Sequence, residues 1–94
     1  GIVFGPNDLA GSMGHMGNPQ HPEVQSAIET VTRAARQAGV YPGIGIADDP
    51  DALMAWVSKG IQWVQVGVDW AHLTRAIDTS IGSMREHISQ NQSP

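Results

Sequence analysis

The chain has 94 residues, with 5 Lys and Arg against 9 Asp and Glu for a formal charge of −4, no cysteine, 11 glycines and 6 prolines. That is room for one small domain, which buries only about two-thirds of the surface its unfolded chain exposes. Without cysteine there is no disulfide framework, no thiolate zinc site and no cysteine nucleophile.

The basic residues are scattered at Arg33, Arg36, Lys59, Arg75 and Arg85 and form no stripe to neutralise phosphates, so nucleic acid is not an expected partner. No apolar run approaches the roughly 18 residues of a membrane span, and the first residues lack the charged start of a signal peptide. A soluble, cytoplasmic protein with no membrane partner is expected. The chain starts Gly1-Ile2-Val3-Phe4, apolar from the second residue and without an initiator methionine, as a chain beginning in mid-fold would.

Three apolar runs are too short for helices and end in Gly, Pro or Asp signals: Ile2 to Phe4, Gly43 to Ala47, and Trp63 to Val68. They predict three buried strands. Between Phe4 and Pro22 runs a long glycine-rich connection, read as a loop. From Pro22 to Ala38, Val24, Ala27, Ile28, Val31, Ala34, Ala35 and Ala38 recur at helical spacing, with Glu23, Gln25, Glu29, Arg33 and Arg36 on the other face. Pro22 suits the first turn and Gly39 the position after the last. A second helix is predicted over Asp51 to Lys59, capped by Asp48 or Asp49 with Pro50 in its first turn and closed by Gly60. A third runs from about Ala71 to Ser89, capped by Asp69, with Leu73, Ile77, Ile81, Met84 and Ile88 on one stripe. Beyond residue 90 the polar tail Asn91 to Pro94 is expected to fray.

Strands alternating with helices imply an α/β fold with a parallel sheet and right-handed crossovers. Three strands cannot finish such a sheet, so the pattern reads as three consecutive βα units of a larger one, either a barrel or a doubly wound fold. Chemistry in these folds gathers where strands end. Asp8, Asp48 with Asp49, and Asp69 stand at those points, and converging carboxylates suit a hard divalent cation. Helix capping accounts for Asp48, Asp49 and Asp69; Asp8, in its glycine-rich loop, reads from spacing alone as a turn former or as a functional carboxylate.

Gly11-Ser-Met-Gly14-His-Met-Gly17 lacks the Gly-Lys-Ser/Thr ending of a phosphate loop, and Gly43-Ile-Gly45 lies inside a strand, where glycine admits a ligand or a neighbouring backbone. Ser12 has no visible base. The histidines show no metal-ligand spacing: His15 and His21 are six apart, His21 is expected at a helix start, and His72 and His87 read as surface residues. Met13 and Met16 read as packing residues.

The run Val3-Phe4-Gly5-Pro6-Asn7-Asp8-Leu9-Ala10-Gly11-Ser12-Met13-Gly14, with Gly17-Asn18-Pro19-Gln20-His21-Pro22-Glu23-Val24-Gln25 and Ala27-Ile28-Glu29, resembles the HpcH/HpaI aldolase family. Pro42-Gly43-Ile44, Val64-Gln65-Val66-Gly67-Val68-Asp69, Leu73 and Arg75-Ala76 fit the same family. The resemblance implies a class II pyruvate aldolase on a TIM barrel, with residues 1–90 as the sixth to eighth βα units of a fold of about 250 residues. It implies cleavage of a 4-hydroxy-2-oxo acid to pyruvate and an aldehyde, a divalent cofactor (Mg²⁺, Mn²⁺ or Co²⁺), and a homo-oligomer, commonly a hexamer.

Carried over residue by residue, Asp8 of Gly5-Pro6-Asn7-Asp8-Leu9 corresponds to the metal ligand, and Asn7 offers its backbone N–H to the substrate carboxylate or enolate. The resemblance places a Glu ligand, a His base and a stabilising Arg in segments that have no counterpart here. Asn7 replaces a commonly small residue, and Gly45 stands where a larger apolar residue often faces the aldehyde, which implies a roomier acceptor pocket. Two other readings are an assembly piece without catalytic activity and a citrate-lyase-like acyl lyase.

Overall fold

The computed structural model describes residues 1–92. The tail expected to fray therefore falls partly outside the described residues, at Ser93 and Pro94. Within them the elements run β1 (Ile2–Phe4), α1 (Pro6–Ser12), α2 (Pro22–Gln37), β2 (Pro42–Ile46), α3 (Pro50–Ser58), β3 (Trp63–Val66) and α4 (Asp69–Gln90). The strands form one parallel sheet in the order β1-β2-β3, pairing Phe4 with Ile44 and Ile44 with Val64. The α/β class and the parallel sheet follow the alternation in the sequence.

Directly paired residues share a face, and faces alternate along a strand. The register therefore puts Phe4, Ile44 and Val64 on one side and Val3, Gly43 and Trp63 on the other. Helices cover the first side: Ile44 joins Ala10, Val24, Ile28, Trp56 and Ile61 in the core, with Phe4, Leu9, Met13, Ile46 and Val64 packed against it. Across the second side lies the Trp63 indole. A Cβ on Gly43 would fall 2.1 Å from its ring, so only glycine fits beneath it, and the indole N–H donates to the Tyr41 carbonyl at 3.1 Å.

Only β2 is substantially buried, a correction to the expectation of three buried strands. A parallel strand is buried by neighbours on both sides, and β1 and β3 each have one here. β3 also ends earlier than predicted, because Gly67 turns the chain at φ 63°.

The principal correction concerns the glycine-rich connection. Its first part is the helix α1, with Pro6 in the first turn, Asp8 as the acidic residue there and Ala10 buried. Pro at the start, an acid in the first turn and apolar Leu9, Ala10 and Met13 on one side are the signals that identified α2; the glycines at 11 and 14 masked them. Gly14 and Gly17 then take positive φ and fold the rest of the connection back, with the His15 N–H on the Ala10 carbonyl at 2.7 Å.

α3 is capped by Asp49, whose carboxylate accepts from the Asp51 and Ala52 N–H groups. Asp69 does not cap α4. Val68 holds the cap position, and Asp69 is the first helical residue, accepting from the Trp70 N–H at 2.8 Å. α4 buries none of its residues and extends the molecule to 67 Å in its longest dimension. Among the described residues no helix is long and apolar enough to cross a membrane.

Candidate functional site

β1, β2 and β3 all point their C-terminal ends toward one open cleft of about 610 Å³, lined among others by Gly5, Asn7, Asp8, Gly45, Asp48 and Arg75. All four residues that the resemblance singled out, Gly5, Asn7, Asp8 and Gly45, therefore share a surface. α1 follows β1 after a single residue, which sets its first turn at the cleft edge.

Asp8 sits in that turn. Among the described residues its carboxylate takes part in no side-chain hydrogen bond and no ion pair. It lies against Gly5, where a Cβ would come within 3.0 Å of Asp8 Oδ2. The glycine leaves the space that the carboxylate uses. An uncommitted, exposed carboxylate beside a first helical turn fits a hard divalent cation. Asp8 belongs to no cluster of three ligating side chains among the described residues, so it would supply one ligand of a set.

Gly5 provides no side-chain cap for α1, and Pro6 has no N–H to satisfy. The Asn7 and Asp8 amides of the first turn are thus two of the orphan donors every helix start carries. On β2, a Cβ at Gly45 would meet nothing nearer than the Phe4 carbonyl oxygen at 4.0 Å. That position is open toward the cleft.

The other carboxylates divide. Asp48 lines the cleft, but instead of capping α3 it pairs with Arg75, the contact that ties the base of α4 to the end of β2. Asp69 does not line it. The convergence expected of all three strand-end carboxylates is therefore restricted to Asp8 and Asp48. His72, expected on the surface, also lines the cleft: its ring lies over Gly67 and its Nε2 is 2.9 Å from the Val66 carbonyl oxygen. The sequence held one signal for this pair, a glycine five residues before a histidine across a strand-to-helix turn, but nothing that named the partner.

Outside the cleft, the structure brings together two histidines that looked unrelated. His15 and His21 stack at 3.5 Å between ring centroids, and His15 Nε2 lies 2.8 Å from Glu23 Oε2. His21 caps α2 as expected, its Nδ1 accepting from the Glu23 N–H. The hydrogen bond and charge of His15 hold the Glu23 carboxyl below its usual range. Three of the scattered basic residues, Arg33, Arg36 and Lys59, also line one groove with Glu29. Lys59 pairs with Glu29 at 2.9 Å and Arg36 reaches the Gly60 carbonyl at 3.5 Å, so these cations serve the C-terminal ends of α2 and α3.

Residues 1–76 match the model of the HpcH/HpaI aldolase/citrate lyase family. The chain belongs to that family. Among curated relatives, a 4-hydroxy-2-oxo-heptane-1,7-dioate aldolase of Klebsiella pneumoniae is 47% identical over 78 residues, covering 83% of this chain and 29% of its own length. A homologue of that name from Escherichia coli is 46% identical over the same coverage. Two crystal structures share the fold. An HpcH/HpaI aldolase from Desulfitobacterium hafniense superposes with a TM-score of 0.76 at 32% identity, over 90% of this chain and 33% of that one. An HpcH/HpaI aldolase/citrate lyase family protein from Burkholderia cenocepacia gives 0.79 at 36% identity, over 88% and 32%. The chain thus spans about a third or less of the length of these relatives.

Proposed function

We propose that this chain carries one metal-ligating carboxylate and part of the substrate pocket of a class II pyruvate aldolase, acting within a (βα)₈ barrel as its last three βα units. The observation that carries this reading is Asp8: an uncommitted carboxylate at the ends of parallel strands, inside the family's Gly-Pro-x-Asp-Leu motif. The reaction is the reversible cleavage of a 4-hydroxy-2-oxo acid to pyruvate and an aldehyde. The aldolase names of the relatives support it.

In this proposal Asp8 offers a negative oxygen to Mg²⁺, Mn²⁺ or Co²⁺, and the ion, when bound, supplies Lewis acidity at the 2-oxo group. The Asn7 N–H, a donor left free at the start of α1, holds the substrate carboxylate. Because this is a main-chain contact, asparagine in place of a smaller residue leaves it intact. Gly45 leaves room for the aldehyde half. The base that takes the 4-hydroxyl proton, the stabilising arginine and the second metal ligand come from segments with no counterpart in these residues.

A homo-oligomer is part of the same proposal. The stripe Leu73, Ile77, Ile81, Met84 and Ile88 on α4 is exposed throughout, which supports packing of this helix across a subunit boundary. Sedimentation of the full-length polypeptide as a monomer would contradict it.

The catalytic reading is tested by pyruvate release from a 4-hydroxy-2-oxo acid. Asp8→Ala in the full-length polypeptide is expected to remove metal-dependent release and leave the circular dichroism spectrum intact. Undiminished release by that variant overturns the assignment.

A further inference from the structure

The cluster of His15, His21 and Glu23 has no part in the cleft. Its candidate ligand atoms all lie within 4.8 Å of one another. The backbone holds them there. The His15 N–H is bound to Ala10, the Asn18 N–H to His15, the His21 N–H to Asn18, and the Gln25 side chain to the Pro19 carbonyl. Positive φ at Gly14 and Gly17 makes the two reversals that return His15 to the start of α2. An arrangement fixed by main-chain bonds loses little freedom on taking up a ligand.

We propose that His15, His21 and Glu23 form a binding site for a borderline divalent transition-metal ion, Zn²⁺ above all, separate from the cation site at Asp8. Two imidazoles and one carboxylate are a nitrogen-rich set suited to Zn²⁺, whereas Mg²⁺ prefers oxygen ligands. His15 Nε2 and Glu23 Oε2, 2.8 Å apart, open to the roughly 3.3 Å that a tetrahedral ion with bonds of about 2.0–2.2 Å requires, and the two imidazoles, stacked 11° from parallel, turn about their side-chain bonds so that both lone pairs reach the ion. The ion replaces the hydrogen between them. His21 Nδ1 accepts the Glu23 amide, so it already presents a lone pair in the tautomer that ligation needs. Binding exchanges that hydrogen bond for a metal bond. Water completes the coordination. The ion would clip the connection after α1 to the first turn of α2, outside the cleft that Asp8 lines.

The test is calorimetric titration of Zn²⁺ into the full-length polypeptide with Mg²⁺ in excess to occupy oxygen-ligand sites. One Zn²⁺ is expected at this cluster. Losing a ligand should cost at least the about 10- to 100-fold that losing a residue orienting a ligand costs, so His15→Asn, His21→Asn and Glu23→Gln should each weaken binding by that factor. Asp8→Asn should not. Asparagine at position 21 still caps a helix, so that variant retains α2, which circular dichroism checks. Absence of Zn²⁺ binding in the unaltered polypeptide, unchanged binding in the three variants, or its loss in Asp8→Asn instead would overturn the proposal.

Discussion

Gly45 shows how much a single missing side chain can decide. Its position lines the cleft, and a Cβ there would have only the Phe4 carbonyl oxygen near it, at 4.0 Å. Space beside a substrate is read as selectivity for size, where a methylene more or less is worth about 1–3 kcal/mol, or 10- to 200-fold. Gly45→Leu in the full-length polypeptide should therefore reduce kcat/KM for a bulky acceptor aldehyde at least about tenfold more than for a small one. Equal losses for the two would remove Gly45 from the acceptor pocket. Gly43, two residues earlier, has a packing role: it admits the Trp63 indole.

At the level of elements, α2 was the most legible part of the sequence. Its buried face, Val24, Ile28, Thr32 and Ala35, is a plain helical stripe. One member is polar. Thr32 is 1% exposed and its hydroxyl has no hydrogen-bond partner among the described residues. A buried hydroxyl left unpaired costs about 1–3 kcal/mol, and valine has nearly the same shape. Thr32→Val is thus expected to raise the unfolding free energy by about 1 kcal/mol in denaturant titration, and a decrease would mean that the hydroxyl has a role this packing does not show.

α1 was less legible. Gly11 and Gly14 gave it the look of a loop, although Ala10 is fully buried and Leu9 and Met13 pack against the core. The α4 stripe could be read as a stripe, but its periodicity could not say what it would cover. The site divides along the same line. Asp8, Asn7, Gly5 and Gly45 lie in a motif and at a strand end, both of which are sequence features. The Asp48–Arg75 pair and the His15–His21 stack join residues whose meeting depends on turns at glycines with positive φ and on the docking of α4, which no local spacing encodes.

On the scale of the whole molecule, a three-stranded sheet has helices on one face and, on the other, little beyond one indole; a long helix stands clear of the core. The uncovered sheet face suits a barrel, where it turns inward and the strand ends jointly build a site. The acidic balance also gains meaning, since Asp8 lines a cleft and has no side-chain partner among the described residues. The most direct measurement is Mn²⁺ binding to the full-length polypeptide in the presence of pyruvate, compared between the unaltered protein and Asp8→Ala. Binding weakened at least about 10- to 100-fold in Asp8→Ala is the predicted result, and equal binding by the two would contradict the account.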